Sequence, residues 1–124
     1  MAQTRLLIID DEEDYASALA ERLRMRNFGA VAVYEAKDAR AAAEQSHPDV
    51  IVLDLFMPGM EAKDMIKTLK DIDPEVEIII VSGHALPSLA EITQTAFSYI
   101  IKPIDINELI EKINEAVLKK KGAM

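Results

Sequence analysis

The sequence predicts an α/β fold in which a doubly wound, five-stranded parallel sheet is flanked by five helices. The first observation behind this prediction is a set of three short runs that are apolar at every position, residues 6–9, 50–53 and 78–81. Such runs are typical of strands buried on both faces, as in a parallel sheet covered by helices. The second observation is that helical patterns separate these runs, which favours alternating strands and helices.

The remaining elements follow in order along the chain. Weaker strand candidates at residues 30–34 and 98–101 bring the number of strands to five. Apolar residues spaced by three and four positions mark one face of each helix. These markers lie in residues 16–23, 39–43, 65–72, 89–96 and 106–117, of which the fourth set is polar and the weakest. Asp105 and Glu108 have the spacing of a capping box, which predicts the start of the last helix.

Length and composition indicate one domain, residues 1–124, in which residues 119–124 are a tail or part of a linker. Acidic residues outnumber basic ones 22 to 14, and the formal net charge of −8 argues against direct binding of nucleic acid or an anionic membrane. The lack of cysteine excludes disulfides and thiolate chemistry. Neither a signal peptide nor an apolar run of ~20 residues is visible, so we expect a cytoplasmic protein.

Polar residues follow four of the predicted strands. Asp10 and Asp11 close the first, Asp54 the third, Ser82 the fourth and Lys102 the fifth. Ligands of doubly wound sheets bind at the carboxyl ends of the strands. We therefore expect two or three carboxylates, a hydroxyl and an ammonium to converge at one edge of the sheet.

Each of these residues has an ordinary structural interpretation and a chemical one. An aspartate often caps a helix or ends a strand, and a lysine at a strand end usually reaches solvent. The chemical interpretation is that carboxylates bind Mg²⁺ and that Asp54 attacks phosphorus to form an acyl phosphate. A fixed cation such as Lys102 would then neutralise the phosphoryl oxygens.

The sequence resembles the receiver domain of two-component response regulators along essentially its whole length. The motifs that carry the resemblance are LIIDDEE at 7–13, VLDLFMPGM at 52–60, VSG at 81–83 and YIIKP at 99–103. The resemblance implies the strand order 2-1-3-4-5. The interval between the last two motifs is slightly shorter than in the family pattern, so the fourth helix is expected to be short or irregular.

The resemblance also implies the roles of individual residues. Asp54 is the expected phosphoacceptor, and Lys102 is expected to pair with the phosphoryl group. Asp11, Asp54 and the backbone carbonyl of Phe56 are the expected Mg²⁺ ligands, with Asp10 reaching the ion through water.

A second group of residues is expected to respond to phosphorylation. Ser82 is the expected switch hydroxyl, and Tyr99 is the aromatic residue expected to move with it. An ordinary half-buried strand tyrosine is the alternative for Tyr99. The Lys102–Pro103 peptide bond is expected to be cis.

The implied function is that of a phosphoacceptor switch, not an enzyme. The expected partners are a histidine kinase or phosphotransfer protein and a downstream protein or output domain, with a second copy of the chain as a further candidate. The alternatives are a pseudo-receiver that binds partners without phosphorylation, a phosphohydrolase with an aspartate nucleophile, and a flavin-binding module. The last is disfavoured because no phosphate-binding loop follows the first strand.

Overall fold

The computed structural model describes residues 3–83, 96–120 and 122. Its sheet consists of β1 (Arg5–Ile9), β2 (Gly29–Val33), β3 (Val50–Asp54), β4 (Glu77–Ser82) and β5 (Ser98–Ile101). All paired strands are parallel, and their order is β2-β1-β3-β4-β5. The predicted sheet and the strand order implied by the resemblance are therefore confirmed.

Four helices lie within the described residues: α1 (Glu13–Arg24), α2 (Ala36–Ser46), α3 (Ala62–Ile72) and α4 (Ile106–Lys120). They confirm four of the five predicted helices. The helix predicted from residues 89–96 falls almost entirely on residues 84–95, which lie outside the described residues. In the part of the chain that is described, no helix is long and apolar enough to cross a membrane.

The apolar strand residues alternate between two core layers, because successive side chains of a strand point to opposite faces of the sheet. In β1, Leu6 and Ile8 belong to the layer that contains buried residues of α1 and α4. Leu7 and Ile9 belong to the layer that contains buried residues of α2 and α3. Helices on both faces of the sheet explain why the central strands are apolar at every position.

The register of the strands aligns their carboxyl ends. Ile9 is paired with Leu53, and Ser82 is paired with Ile101. The first pair brings the ends of β1 and β3 level, and the second does the same for β4 and β5. The polar residues that close these strands therefore lie along one edge of the sheet.

Asp105 caps α4, as its spacing from Glu108 predicts. Its Oδ1 accepts hydrogen bonds from the N–H groups of Asn107 at 2.8 Å and Glu108 at 3.2 Å. Its backbone carbonyl accepts the N–H of Leu109. The two side-chain contacts satisfy donors that have no partner within the first turn of a helix, and the carbonyl contact is the first bond of the helix itself.

We expect Asp105→Ala to lower the free energy of unfolding by about 1 kcal/mol, because two backbone donors lose their acceptor. Urea denaturation measures this change. Glu111→Ala is the matched control, since Glu111 is an exposed acidic residue in the middle of the same helix. Its effect should stay within about 0.5 kcal/mol, and equal losses in both variants would contradict the capping role.

Candidate functional site

The side chain of Lys102 lies at the centre of a group of acidic residues at the carboxyl ends of the strands. Its Nζ is 3.0 Å from Asp10 Oδ2 and 3.6 Å from Asp54 Oδ2. It also donates a hydrogen bond to Glu12 Oε1. The lysine side chain is only 17% exposed. One largely buried cation therefore faces three carboxyl groups.

Backbone turns orient the two buried carboxyl groups. Asp10 Oδ1 accepts the N–H of Glu12 at 2.9 Å, and Asp54 Oδ1 accepts the N–H of Phe56 at 3.1 Å. Both bonds reach a residue two positions further along the chain, as in an Asx turn. The second oxygen of each carboxyl group is the one that contacts Lys102. The turns thus hold both aspartates with one oxygen directed at the lysine.

Burial raises the pKa of Asp54 to about 6, from an ordinary value of 3.8, because the loss of water disfavours the charged form. The N–H of Phe56 and the ammonium of Lys102 lower this pKa, whereas the charge of Asp10 and a hydrogen bond with it raise it. At pH 7.5 the carboxylate still predominates. This is the form that acts as a nucleophile or a metal ligand.

Lys102 stays charged in spite of its burial. Burial lowers the pKa of Lys102, but hydrogen bonds to Glu12 and Asp10 and the charge of Asp54 raise it by a larger amount. The net shift is therefore upward from 10.5. Lys102 is therefore a fixed cation across the physiological pH range.

The acidic group also has the donor chemistry of a hard-cation site. One carboxylate oxygen from each of Asp10, Glu12 and Asp54 lies within 4.8 Å of the other two. Oxygen donors of this kind suit Mg²⁺, so the residues fit the predicted ion. Asp11 is exposed and lines a cleft of about 410 Å³ together with residues 57–59 of the loop after β3. Its role as a direct metal ligand stays a prediction.

The other predicted site residues lie at or near the same edge. Ser82 is fully buried at the end of β4, and its carbonyl accepts the N–H of Lys102 at 2.7 Å. Phe56 is 49% exposed in the loop after β3, and Tyr99 is 42% exposed in β5. The Lys102–Pro103 peptide bond is cis, as expected. The switching roles of Ser82 and Tyr99 stay predictions.

Sequence reasoning missed two residues of this site, Glu12 and Tyr15. Glu12 lies in the LIIDDEE motif without a predicted role, yet it is the third carboxylate around Lys102. The ring centroid of Tyr15 lies 5.0 Å from Lys102 Nζ. A third acid in the loop between β1 and α1 was a signal for Glu12. The sequence around Tyr15 gives no comparable signal, because its contacts are about 90 residues away.

The fold and the site define a flavodoxin-like α/β domain whose acidic, lysine-containing site lies at the carboxyl edge of the sheet. The sequence matches the response regulator receiver domain family over residues 6–114, which is most of the chain. The chain belongs to this family, the receiver domains of two-component response regulators.

Individual relatives agree with this assignment. The sensory transduction protein RegX3 of Mycolicibacterium smegmatis is 35% identical over 119 residues, which are 94% of this chain and 51% of that protein. The transcriptional regulatory protein PrrA of Mycobacterium tuberculosis is 27% identical over 121 residues, 96% of this chain and 52% of that protein. The chain therefore spans about half the length of the curated relatives it matches.

A solved structure supports the fold independently. The CheY-like receiver domain protein of Methanospirillum hungatei JF-1 superposes with a TM-score of 0.91 at 22% sequence identity. The match covers 99% of this chain and 100% of that one. The two proteins thus share one fold.

Proposed function

We propose that this chain is a phosphoacceptor switch in which Asp54 receives a phosphoryl group from a histidine kinase or a phosphotransfer protein. The observation that carries the proposal is the buried carboxyl group of Asp54, 3.6 Å from the fixed cation Lys102 at the carboxyl edge of the sheet. Membership of the receiver family supports the same function.

The proposed reaction transfers a phosphoryl group from a histidine of the partner to the carboxylate of Asp54. A carboxylate oxygen of Asp54 attacks the phosphorus of a phosphohistidine on the partner, and a P–O bond forms while the P–N bond breaks. The bonding electron pair remains on the imidazole nitrogen. Lys102 pairs with the phosphoryl oxygens, and the hydroxyl of Ser82 donates a hydrogen bond to one of them. These contacts stabilise negative charge where it develops.

The ligand set proposed for Mg²⁺ is Asp11, Asp54 and the backbone carbonyl of Phe56, with Asp10 acting through water. When bound, the ion supplies charge neutralisation of the phosphoryl oxygens. The turns at Asp10 and Asp54 support this assignment because they hold both carboxyl groups in place before any ligand arrives. The exposed position of Asp11 leaves its carboxylate accessible.

Phosphorylation would act as a switch because it stabilises one conformation of the domain more than the other. A phosphoryl group carries about −1.5 to −2 charges near pH 7 and offers strong acceptor oxygens. Lys102 and Ser82 gain charge-assisted hydrogen bonds only in the phosphorylated state. The equilibrium then shifts toward an active surface that includes β5 and α4, with Tyr99 moving in response.

The proposed partners follow from this role. They are the phosphoryl donor and a downstream protein or output domain. Two relatives that are about twice as long support this, one named as a transcriptional regulatory protein and the other as a sensory transduction protein. We place the protein in the cytoplasm, where its phosphoryl donor would be found. A second copy of the chain remains a candidate partner.

Incubation with acetyl phosphate and Mg²⁺ is expected to add one phosphoryl group per chain. The mass of the intact protein measures this gain. The product should be labile to hydroxylamine, because an acyl phosphate reacts with this reagent. Asp54→Asn and a chelator should each abolish the gain. Asp71→Asn is the matched control, since Asp71 is an exposed acid of α3 that pairs with Lys67, and it should react like the wild type.

Failure of the folded wild-type protein to gain mass would overturn the proposal. A gain that persists in Asp54→Asn would contradict the assignment of the phosphoacceptor. In the first case the chain would act as a binding module without phosphorylation.

A further inference from the structure

Tyr15 connects parts of the site that are far apart in sequence. It lies in the first turn of α1, and its side chain is partly buried. The centroid of its ring is 5.0 Å from Lys102 Nζ. Its hydroxyl oxygen accepts a hydrogen bond from the N–H of Ile104 at 3.0 Å. Helix α1 therefore contacts, through one side chain, both the lysine and the loop that carries it.

The hydrogen bond between Tyr15 and Ile104 fixes the backbone just beyond the point where the pairing of β5 with β4 ends. The N–H of Lys102 donates to the carbonyl of Ser82, continuing the pairing of β5 with β4. Pro103 has no N–H to donate. The next backbone donor belongs to Ile104, and its acceptor is the hydroxyl of Tyr15. Tyr15 thus fastens the loop immediately after Lys102 to α1.

The ring acts on the ammonium group itself. The face of an aromatic ring attracts a cation within about 6 Å of its centroid. Lysine has a flexible side chain, so its ammonium group loses considerable rotamer freedom when it is held in one place. The ring of Tyr15 favours conformations that keep Lys102 inside the site over those that extend into solvent.

We propose that Tyr15 is a positioning residue for phosphoryl transfer, which holds Lys102 where its ammonium group meets the phosphoryl oxygens on Asp54. The inference rests on the proposed function. Glu12 is a partner that Lys102 would exchange for the phosphoryl group, whereas the ring of Tyr15 supports the ammonium both before and after transfer. The hydroxyl and the ring have separable tasks, since one holds the backbone and the other the charge.

The rate of phosphorylation by acetyl phosphate at saturating Mg²⁺ tests this role. Tyr15→Leu removes the ring and the hydroxyl, and it should slow the reaction by roughly fivefold. Tyr15→Phe keeps the ring, so its rate should lie within about twofold of the wild type. Ser17→Ala is the control: it removes another hydrogen-bonded hydroxyl from α1, one that contacts Tyr34, and its rate should not change.

Two NMR measurements separate positioning from a general effect on the fold. Hydrogen exchange of the Ile104 amide should be faster in both Tyr15 variants, because each lacks the hydroxyl. The ¹⁵Nζ resonance of Lys102 should shift in Tyr15→Leu and stay in place in Tyr15→Phe. If the Tyr15 ring did not contact the ammonium group in solution, this resonance would be unchanged in both.

The outcomes distinguish this inference from the function on which it rests. Normal phosphorylation of the wild type with an unchanged rate in Tyr15→Leu would overturn the positioning role alone. The same holds if the Lys102 resonance is identical in all variants. No phosphorylation of the wild type would overturn the proposed function and, with it, the role of Tyr15 in the reaction.

Discussion

Lys102→Ala is expected to lower the free energy of unfolding by about 3 kcal/mol at pH 7.5, because it leaves buried acidic groups without their cation. Asp10 and Asp54 are 4% and 6% exposed, so water cannot take over the role of the ammonium group. The pKa of Lys102 lies above 10.5, so its stabilising effect is fully present below that pH and disappears only in strong alkali. Urea denaturation at pH 7.5 measures the loss.

The pH dependence of this loss is a further part of the prediction. Near pH 5, Asp54 is largely protonated, since its pKa is about 6, and one of the three negative charges is removed. The destabilisation by Lys102→Ala should therefore be smaller at pH 5 than at pH 7.5. Lys67→Ala is the control because Lys67 forms an exposed pair with Asp71, and its effect should stay below about 1 kcal/mol. Equal losses in the two variants would show that the cluster does not depend on its lysine.

Asp54→Asn is expected to raise the free energy of unfolding by about 2 kcal/mol at pH 7.5. The folded protein holds Asp54 with a pKa of about 6, against 3.8 as the ordinary value, so the charged form is destabilised by folding. This penalty is absent below about pH 4, grows as the pH rises from 4 to 6, and is fully present above about pH 6. Asparagine carries no charge, so its burial lacks this energetic cost.

The substitution preserves the contacts around this position. An asparagine oxygen can still accept the N–H of Phe56, and Lys102 keeps Asp10 and Glu12 as partners. Urea denaturation in the presence of a chelator should show a gain at pH 7.5 and little change at pH 3.5. Asp71→Asn, an exposed substitution, should show no such difference between the two pH values. A loss of stability at pH 7.5, or a gain of the same size at both pH values, would contradict the prediction.

Much of the architecture could be predicted because its signals are local. Strands such as β3 and β4 are apolar at every position, and the stripe of α4 repeats every three to four residues. The parallel arrangement then implies that Asp54 and Lys102 meet at one edge, as the structure confirms. The strand order came from the resemblance to receivers, since no local pattern states which strands are neighbours.

The composition of the site was only partly predictable. Glu12 and Tyr15 contact Lys102 across about 90 residues of chain, and their own sequence surroundings are those of an ordinary acidic helix start. Neither residue continues an apolar pattern or stands at the end of a strand. Their roles depend on where the loop after β5 meets the start of α1.

The α/β class, the position of each described element and the edge of the sheet where the polar residues gather could all be predicted from the sequence. The reason is that hydrophobic periodicity and strand-end residues are properties of short segments. Which acidic residues surround the lysine depends on how the elements pack together. Asp10 and Asp11 are neighbours of identical chemistry, yet Asp10 is buried against Lys102 and Asp11 is exposed. The physical reason is that adjacent side chains leave the backbone in different directions, and only the packed fold shows which one meets a cation 92 residues away.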